Sequence, residues 1–333
     1  MPVMKSDNFK DMKKMLVTGG AGFIGSEFID YTLNKYDDVF VLCLDKLTYA
    51  GQCLKNNRFS SFENFKFVKG DICDNGTIDR LFDEFKFDVV VNFAAESHVD
   101  RSINSPQVFF ETNLLGTTVL LEAARKYKVK RFHQISTDEV YGGSLGRAFT
   151  ESERLNPSSP YSASKSAADL ACLAYAKTFG LNVTITRSAN NYGRFQYPEK
   201  LIPVAVCSAL GGKKIPLYGA GESVRDWLYV TDHCKAVDAV LNYGASGEIY
   251  NIAGGCRLKN GEVIRKILAL LGESEDLIEY VPDRPGRDLE YYIDDSKLKS
   301  IFGEPKTDFD AGLKATVEWY KNNKDWWQPL FLK

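Results

Sequence analysis

The sequence predicts an α/β chain in which a doubly wound parallel sheet is followed by a smaller, mixed C-terminal lobe. Three observations predict it. Short β-branched or aromatic runs alternate with longer helical patterns up to about Asn190. A glycine-rich turn joins the first such run to the first helix, and beyond Asn190 the rhythm gives way to stretches punctuated by proline and glycine. At 333 residues the chain also exceeds what one hydrophobic core usually serves.

Taken in order, residues 15–18, 39–44, 65–68, 88–93, 131–135 and 183–186 have the length and composition of buried strands. Helical patterns occupy 23–34, 77–85, 107–126 and 161–179, the last closed by Gly180. This alternation predicts a parallel sheet between helices, with a ligand crevice beyond the carboxyl ends of its strands. Further on, 210–221 and 281–287 read as irregular, and 232–242 and 261–271 as helices. The expected division is a cofactor-binding lobe of about 13–189 plus about 223–254 and a substrate-binding lobe of about 190–222 plus 255–333. The aromatic cluster Trp319, Tyr320, Trp326 and Trp327 reads as packing.

Composition narrows the partners. A formal net charge of -2 provides no global field for nucleic acid, so no such partner is expected. The seven cysteines form no C-x-x-C pair and are odd in number, which points to a reducing compartment. Residues 1–15 lack the apolar stretch of a signal peptide, and no later run approaches the length of a membrane span. A cytoplasmic protein without membrane attachment is expected. Three histidines without clustered Cys/His spacing give no support to a metal site.

The turn after the first strand reads Gly19-Gly20-Ala21-Gly22-Phe23-Ile24-Gly25. Glycine at 19, 22 and 25 permits a tight turn, close approach of a pyrophosphate and close helix packing, while free helix N–H groups attract the anion. This is the fingerprint of a Rossmann-type dinucleotide site. Asp45 ends the second strand, twenty residues beyond Gly25, where a carboxylate bonds both ribose hydroxyls of NAD and repels a 2′-phosphate. Lys46 beside it is either a solvated loop lysine or a partner for such a phosphate. Asp71 and Ile72, after the third strand, are candidate adenine contacts, although an Asp there is also a common turn residue.

Tyr161 and Lys165 form Y-x-x-x-K at the start of a long helix, a spacing that puts both side chains on one face. A free tyrosine titrates near pH ~10 and is a poor base, whereas a nearby ammonium stabilises the phenolate. Thr137, Asp138 and Glu139 leave the fifth strand where the crevice should lie. Thr137 suits a hydrogen bond to the substrate hydroxyl that Tyr161 deprotonates. Asp138 and Glu139 are either a solvated acidic pair or, with separated pKa values, the acid and base of an elimination.

With these residues in view, the chain resembles the dTDP-glucose 4,6-dehydratase family of the extended short-chain dehydrogenase/reductases, and the similarity runs through nearly the whole sequence. It is carried by TGGAGFIG at 18–25, LDKLTYAG at 44–51, AAESHVDRSI at 94–103, STDEVYG at 136–142 and YSASK at 161–165. ANNYGRFQYPEKLIP at 189–203, RDWLYVTDH at 225–233 and DRPGRD at 283–288 continue it. The resemblance implies a nucleotide-sugar substrate, tightly held NAD and a homodimer built through 107–126 and 161–179. Val108, Leu114, Leu115, Leu120 and Leu121 suit either that contact or intrachain packing.

The resemblance also implies a cycle. Tyr161 takes the 4-hydroxyl proton as hydride leaves C4 for NAD, Glu139 abstracts the C5 proton acidified by the 4-ketone, and Asp138 protonates the departing C6 hydroxyl. Hydride then returns to C6, giving a 4-keto-6-deoxy sugar. By the same resemblance Thr48, Ala94, Ala95 and Ser97 contact the cofactor. Ser97, Thr137, Asn190, Lys200, Leu201, Arg225, Asn251 and Arg287 hold the substrate, with a surface ion pair to Asp226 as the alternative for Arg225. Where the family commonly has His and Arg, this chain has Arg287 and Glu290, the latter reversing charge near the expected diphosphate pocket. dTDP-glucose and UDP-glucose both remain open as substrates. A related 4-epimerase or decarboxylase, which has no use for the Asp138–Glu139 pair, and a non-catalytic NAD sensor are the competing readings.

Overall fold

Each of the six runs expected as strands forms one in the computed structural model, which describes residues 12–54, 58–144, 146–283, 285–303 and 306–331. Most of the N-terminal 1–14 stretch, and position 284 of the 281–287 segment, lie outside the described residues. In chain order the first elements are β1 (Lys14–Thr18), α1 (Phe23–Lys35), β2 (Phe40–Asp45), β3 (Phe65–Lys69), α2 (Asn75–Phe85) and β4 (Val89–Asn92). There follow α3 (Val99–Asn104), α4 (Pro106–Phe110), α5 (Thr117–Lys126), β5 (Arg131–Thr137), α6 (Pro160–Phe179) and β6 (Val183–Ser188). The remainder gives β7 (Asn190–Tyr192), α7 (Leu201–Leu210), β8 (Ile215–Tyr218), β9 (Val224–Tyr229), α8 (Val230–Tyr243) and β10 (Glu248–Ile252). Last come β11 (Arg257–Lys259), α9 (Asn260–Leu271), β12 (Ile278–Val281), α10 (Ser296–Phe302), α11 (Phe309–Asn322) and α12 (Lys324–Phe331).

Seven strands form one sheet in the order β10-β6-β5-β4-β1-β2-β3, every pair parallel. Its central strands are buried on both faces because side chains alternate: Met15 and Val17 enter one core with Val89 and Val91, while Leu16 and Val90 enter the other. The first core is closed by Phe28, Ile29 and Leu33 of α1 with Val237 and Val240 of α8. The second is closed by Leu81 and Phe82 of α2 and by Leu120, Leu121 and Ala124 of α5. Thr18, Asn92 and Gln134 cross the sheet as a buried hydrogen-bonded chain at 2.6 and 2.8 Å, which keeps their polar atoms paired inside it.

Four departures from the sequence reading have local causes. The helix expected over 107–126 contains a π-helical turn at Glu111–Gly116 between α4 and α5. Gly116 there approaches the β3–α2 connection so closely that a Cβ would lie 2.5 Å from the Ile72 side chain. β10, not among the expected strands, extends the main sheet beside β6. The irregular 210–221 stretch contains β8, which pairs in parallel with β12 just ahead of the 281–287 stretch. β9, expected within the cofactor lobe, instead pairs with β7 and β11 in a separate three-stranded sheet. A third core, including Ile202, Val206, Leu217, Ile264, Leu313 and Trp327, lies under these smaller sheets.

Candidate active site

The strand order turns back between β1 and β4, and such a switch opens a crevice at the carboxyl ends of the strands. The turn after β1 enters it. Gly19 has φ +68°, and a Cβ there would lie 2.5 Å from the Ala94 nitrogen; one at Gly25 would lie 2.5 Å from the Gly19 oxygen. α1 then starts at Gly22 with no side-chain cap and no acidic residue in its first turn, so its N–H groups are open to an anion. Asp45 accepts from the N–H of Ala21 at 2.9 Å and of Leu47 at 2.7 Å. Burial raises its pKa and those two N–H bonds oppose the shift.

Gly19, Gly22, Phe23, Ile24, Gly25, Asp45, Lys46, Thr48, Asp71, Ile72, Ala94, Ala95 and Ser97 line a single cleft of about 650 Å³. Glycines where no Cβ fits, an open helix start and a fixed carboxylate at the second strand suit a dinucleotide with free ribose hydroxyls. Lys46 is exposed at the rim of the cleft and pairs with Asp71 at 2.6 Å. Asp71 also accepts from the Cys73 N–H at 3.0 Å, which makes it a turn residue as well as a wall of the cleft.

Across the same cleft, β5 ends in Thr137, which caps a 3-10 turn over Asp138–Tyr141. The Thr137 hydroxyl accepts from the Glu139 N–H at 3.2 Å and donates to Asp138 Oδ1 at 3.3 Å. Asp138 is 3% exposed, and its Oδ2 has no hydrogen-bond partner among the described residues. Burial first, then the charge of Glu139, hold this carboxyl well above the usual carboxylate range, with Arg225 opposing. Two adjacent carboxyl groups therefore differ in environment: burial favours the protonated form of Asp138, beside the less buried Glu139.

α6 is started by Ser159 and Ser162 in a capping box, with Pro160 in its first turn, and ends at Gly180 in the left-handed region. That fixes Tyr161 and Lys165 on its cleft-facing side. The Lys165 ammonium donates to the Ile135 carbonyl at 2.6 Å. Lys165 is not among the leading influences on the Tyr161 phenol. Burial and then Glu139 push the phenol up, and only a hydrogen bond with Thr137 opposes them among the leading influences.

The far wall gathers cations. Asn190, Lys200, Leu201, Arg225 and Arg287 line the cleft. Arg225 donates to the carbonyls of Val224 at 2.7 Å and Asp288 at 2.9 Å and lies 4.3 Å over the Tyr291 ring, so the ion pair with Asp226 is not formed. Asp226 instead accepts from the N–H groups of Gly254 and Cys256. Burial and then the nearby Arg225 charge lower the Arg287 pKa, as expected of two guanidiniums converging where an anion belongs. Lys200 donates to the Ser97 carbonyl at 2.7 Å, joining the two walls.

Two expectations fail. Asn251 is not in the cleft: fully buried on β10, it donates to the carbonyls of Phe149 and Asp294 at 3.0 Å and accepts from the Tyr141 hydroxyl at 2.8 Å. Glu290 does not reverse the charge of the anion pocket, because it pairs with Arg257 and accepts from the Ser144 hydroxyl at 2.9 Å. Sequence reasoning missed Pro216, Tyr218, Asn260 and Tyr291, which complete the far wall. The IPLY stretch was an available signal, being a strand-like run inside a Pro/Gly-rich segment.

A glycine cradle with a ribose-binding carboxylate, a Tyr-x-x-x-Lys helix and a cationic far wall define an enzyme of the extended short-chain dehydrogenase/reductase class. A family model described as GDP-mannose 4,6 dehydratase matches residues 16–316. The dTDP-glucose 4,6-dehydratase of Streptomyces niveus is 47% identical over 322 residues, 95% of each chain. DesIV, a dTDP-glucose 4,6-dehydratase from Streptomyces venezuelae crystallised with NAD, superposes with a TM-score of 0.92 at 46% identity, covering 95% of this chain and 99% of that one. A UDP-glucose 4-epimerase from Thermotoga maritima superposes with 0.86 at 30% identity, covering 93% and 99%, so the fold alone does not choose the reaction. The chain belongs to the dTDP-glucose 4,6-dehydratase family.

Proposed function

We propose that this protein converts dTDP-glucose to dTDP-4-keto-6-deoxyglucose. The observation that carries the reading is Asp138, a buried carboxyl with a raised pKa and an unpartnered Oδ2, next to Glu139 on one turn of the cleft. A 4-epimerase moves hydride at one carbon and needs no such acid–base pair.

Held by the glycine cradle and Asp45, NAD would supply a hydride acceptor for C4 and a hydride donor for C6, with a proton restored at C5 in the last step, so that no external oxidant would be consumed. Thr137 orients the sugar's 4-hydroxyl and Tyr161 takes its proton. The resulting ketone acidifies C5, and Glu139 removes that proton. Asp138 gives its proton to the departing C6 oxygen, and water is lost. Lys165, anchored to the end of β5, holds positive charge beneath the site without leaving it. Arg225, Arg287 and Lys200 meet the diphosphate, the two arginines through forked N–H pairs. Asn190 and Leu201 complete that wall, and Ser97 lies between cofactor and sugar.

For the chain as a whole we take the reading of a cytoplasmic homodimer in two lobes, about 13–189 plus about 223–254 and about 190–222 plus 255–333. The lobe division is supported by α8 and β10 joining the layers of the large sheet, with the seam inside 223–230 because β9 pairs elsewhere. No helix among the described residues is long and apolar enough to cross a membrane. The dimer is supported by Val108, Phe110, Leu115, Leu170 and Phe179, which are exposed on α4, its π-helical turn and α6. Leu120 and Leu121 face the intrachain core instead.

The test is incubation with dTDP-glucose and, separately, UDP-glucose, with and without added NAD. Product is read by the alkaline absorbance of the keto sugar and by deuterium at C5 in deuterated buffer. Keto-deoxy sugar carrying C5 deuterium from dTDP-glucose is the expected result. Conversion of UDP-glucose alone would change the nucleotide, and a galactose epimer would remove the roles given to Asp138 and Glu139.

A further inference from the structure

The connection between β2 and β3 forms one wall of the cofactor cleft through Lys46, Thr48, Ala50 and Gly51, and its described residues reach the rest of the chain at a few named points. Cys53 donates from its N–H to the Ala21 carbonyl at 3.0 Å and lies 3.5 Å from the Phe195 carbonyl. Further along, Arg58 reaches across to the first turns of α1, donating to Ser26 Oγ at 3.1 Å and to Glu27 at 2.5 Å. Ser26 and Glu27 directly follow Gly25, so Arg58 grips the helix end that the cofactor's phosphates would face.

Glu27 is the centre of this contact. Only 3% of its side chain is exposed, and a carboxylate so placed needs cationic partners. It has two, Arg58 and Arg194, and Arg194 also binds Asp30 at 2.8 Å. The Arg58 guanidinium lies 4.1 Å from the Phe195 ring centre, with Trp319 at 4.5 Å, Trp326 at 5.7 Å and the Arg194 guanidinium at 5.8 Å around the same ring. Phe195 holds φ +63° and Leu47 φ +57°, conformations that bulky side chains adopt only when their surroundings enforce them. Both strained residues sit in the segments that Arg58 and Cys53 tie together. Gln196 and Tyr197, next along from Phe195, line the cleft.

We propose that Arg58 is a positioning residue that latches the β2–β3 connection and the Phe195 segment onto α1, and thereby sets how long the cofactor stays. The inference rests on the NAD reading above. It gives the C-terminal aromatic cluster a task beyond packing, since Trp319 and Trp326 back the ring on which Arg58 rests. Arg58 itself does not line the cleft among the described residues, so its loss acts on cofactor release and leaves the sugar chemistry alone.

The test uses the intact holoenzyme. Release of NAD is followed by transfer to an excess of a trapping dehydrogenase, for the wild type, Arg58→Met, Arg58→Lys and the double variant Glu27→Gln/Arg58→Met. Losing charge-assisted bonds to a buried carboxylate should speed release about tenfold or more in Arg58→Met. The lysine variant should fall between, and kcat at saturating NAD should stay within about threefold in each. In Arg58→Met the Glu27 carboxylate keeps Arg194 as its partner, and the double variant, which removes that pair as well, should still release NAD fast. Equal release rates in wild type and Arg58→Met, or a double variant that recovers retention, would overturn the latch. A wild-type protein that binds no NAD would instead overturn the functional reading.

Discussion

Replacing Asp138 by Asn removes one transferable proton and almost nothing else. The amide has the volume of the acid, and its oxygen still accepts the 3.3 Å bond from Thr137. Losing a positioned general acid costs ~10²–10⁴ in rate, about 3–5 kcal/mol of barrier. At 3% exposure the position offers water little chance to act in its place, so a loss of ~10³-fold or more in dehydration is expected. Tyr161 is untouched, so oxidation at C4 continues. Rapid quench and mass spectrometry should find the 4-keto hexose nucleotide accumulating while water loss lags.

The stability of the same variant has a defined sign. A carboxyl whose folded pKa is raised contributes its full stability below the unfolded value, ~4, and loses it as pH rises through the raised folded value. Asn carries no such penalty, so the variant should match the wild type at low pH and gain on it toward neutral pH in urea melts. Dehydration within tenfold of wild type in a folded Asp138→Asn protein, or no accumulated keto sugar, would refute the assignment of Asp138 as the acid.

Glu139→Gln should also accumulate the keto sugar, but with no deuterium entering C5, which separates base from acid by NMR. Gly25→Ala places a Cβ 2.5 Å from a backbone oxygen and should abolish NAD binding and lower stability by ~1–3 kcal/mol, read by calorimetry. Asn251→Ala removes the bonds to the Asp294 carbonyl and from the Tyr141 hydroxyl and one of the two that the Phe149 carbonyl accepts; it should cost ~1–3 kcal/mol in denaturant melts while leaving the KM for nucleotide sugar unchanged. Burial holds His133 and His233 down to about 3, with Arg131 adding to the effect at His133. Because their folded pKa values are depressed, their contribution is complete above the unfolded value of ~6.5 and declines as pH falls toward 3, so melts should show stability dropping from pH ~6.5 downward.

The glycine cradle, Asp45, the Tyr161–Lys165 spacing and the Asp138–Glu139 pair were legible because each is local. A tight turn, a helix repeat of four residues and the end of a strand are written in neighbouring positions, and six strands of the main sheet followed from short β-branched or aromatic runs. The pairing of the short strands β8 and β12 was not legible, because each finds its partner about sixty positions away, although IPLY of β8 is a strand-like run. Asn251 and Glu290 look like site residues in a motif, but what a polar side chain does depends on which groups face it. The fold supplied Phe149, Asp294 and Tyr141 for one and Arg257 and Ser144 for the other.

Sequence by itself determined the class of sheet, the place of the dinucleotide site and the residue types available for acid–base chemistry, since all of these rest on spacing along the chain. Tertiary structure alone decided their protonation. Asp138 and Glu139 are adjacent and chemically alike, and it is depth of burial, then the Glu139 charge, against the opposing pull of Arg225, that favours a proton on the first. Lys165 is likewise directed to the Ile135 carbonyl by the packing of α6 against β5, and Lys46 to Asp71 by the approach of two loops. The free energy of a charge depends on the dielectric and the partners around it, and these are properties of the folded chain that its order of residues does not display.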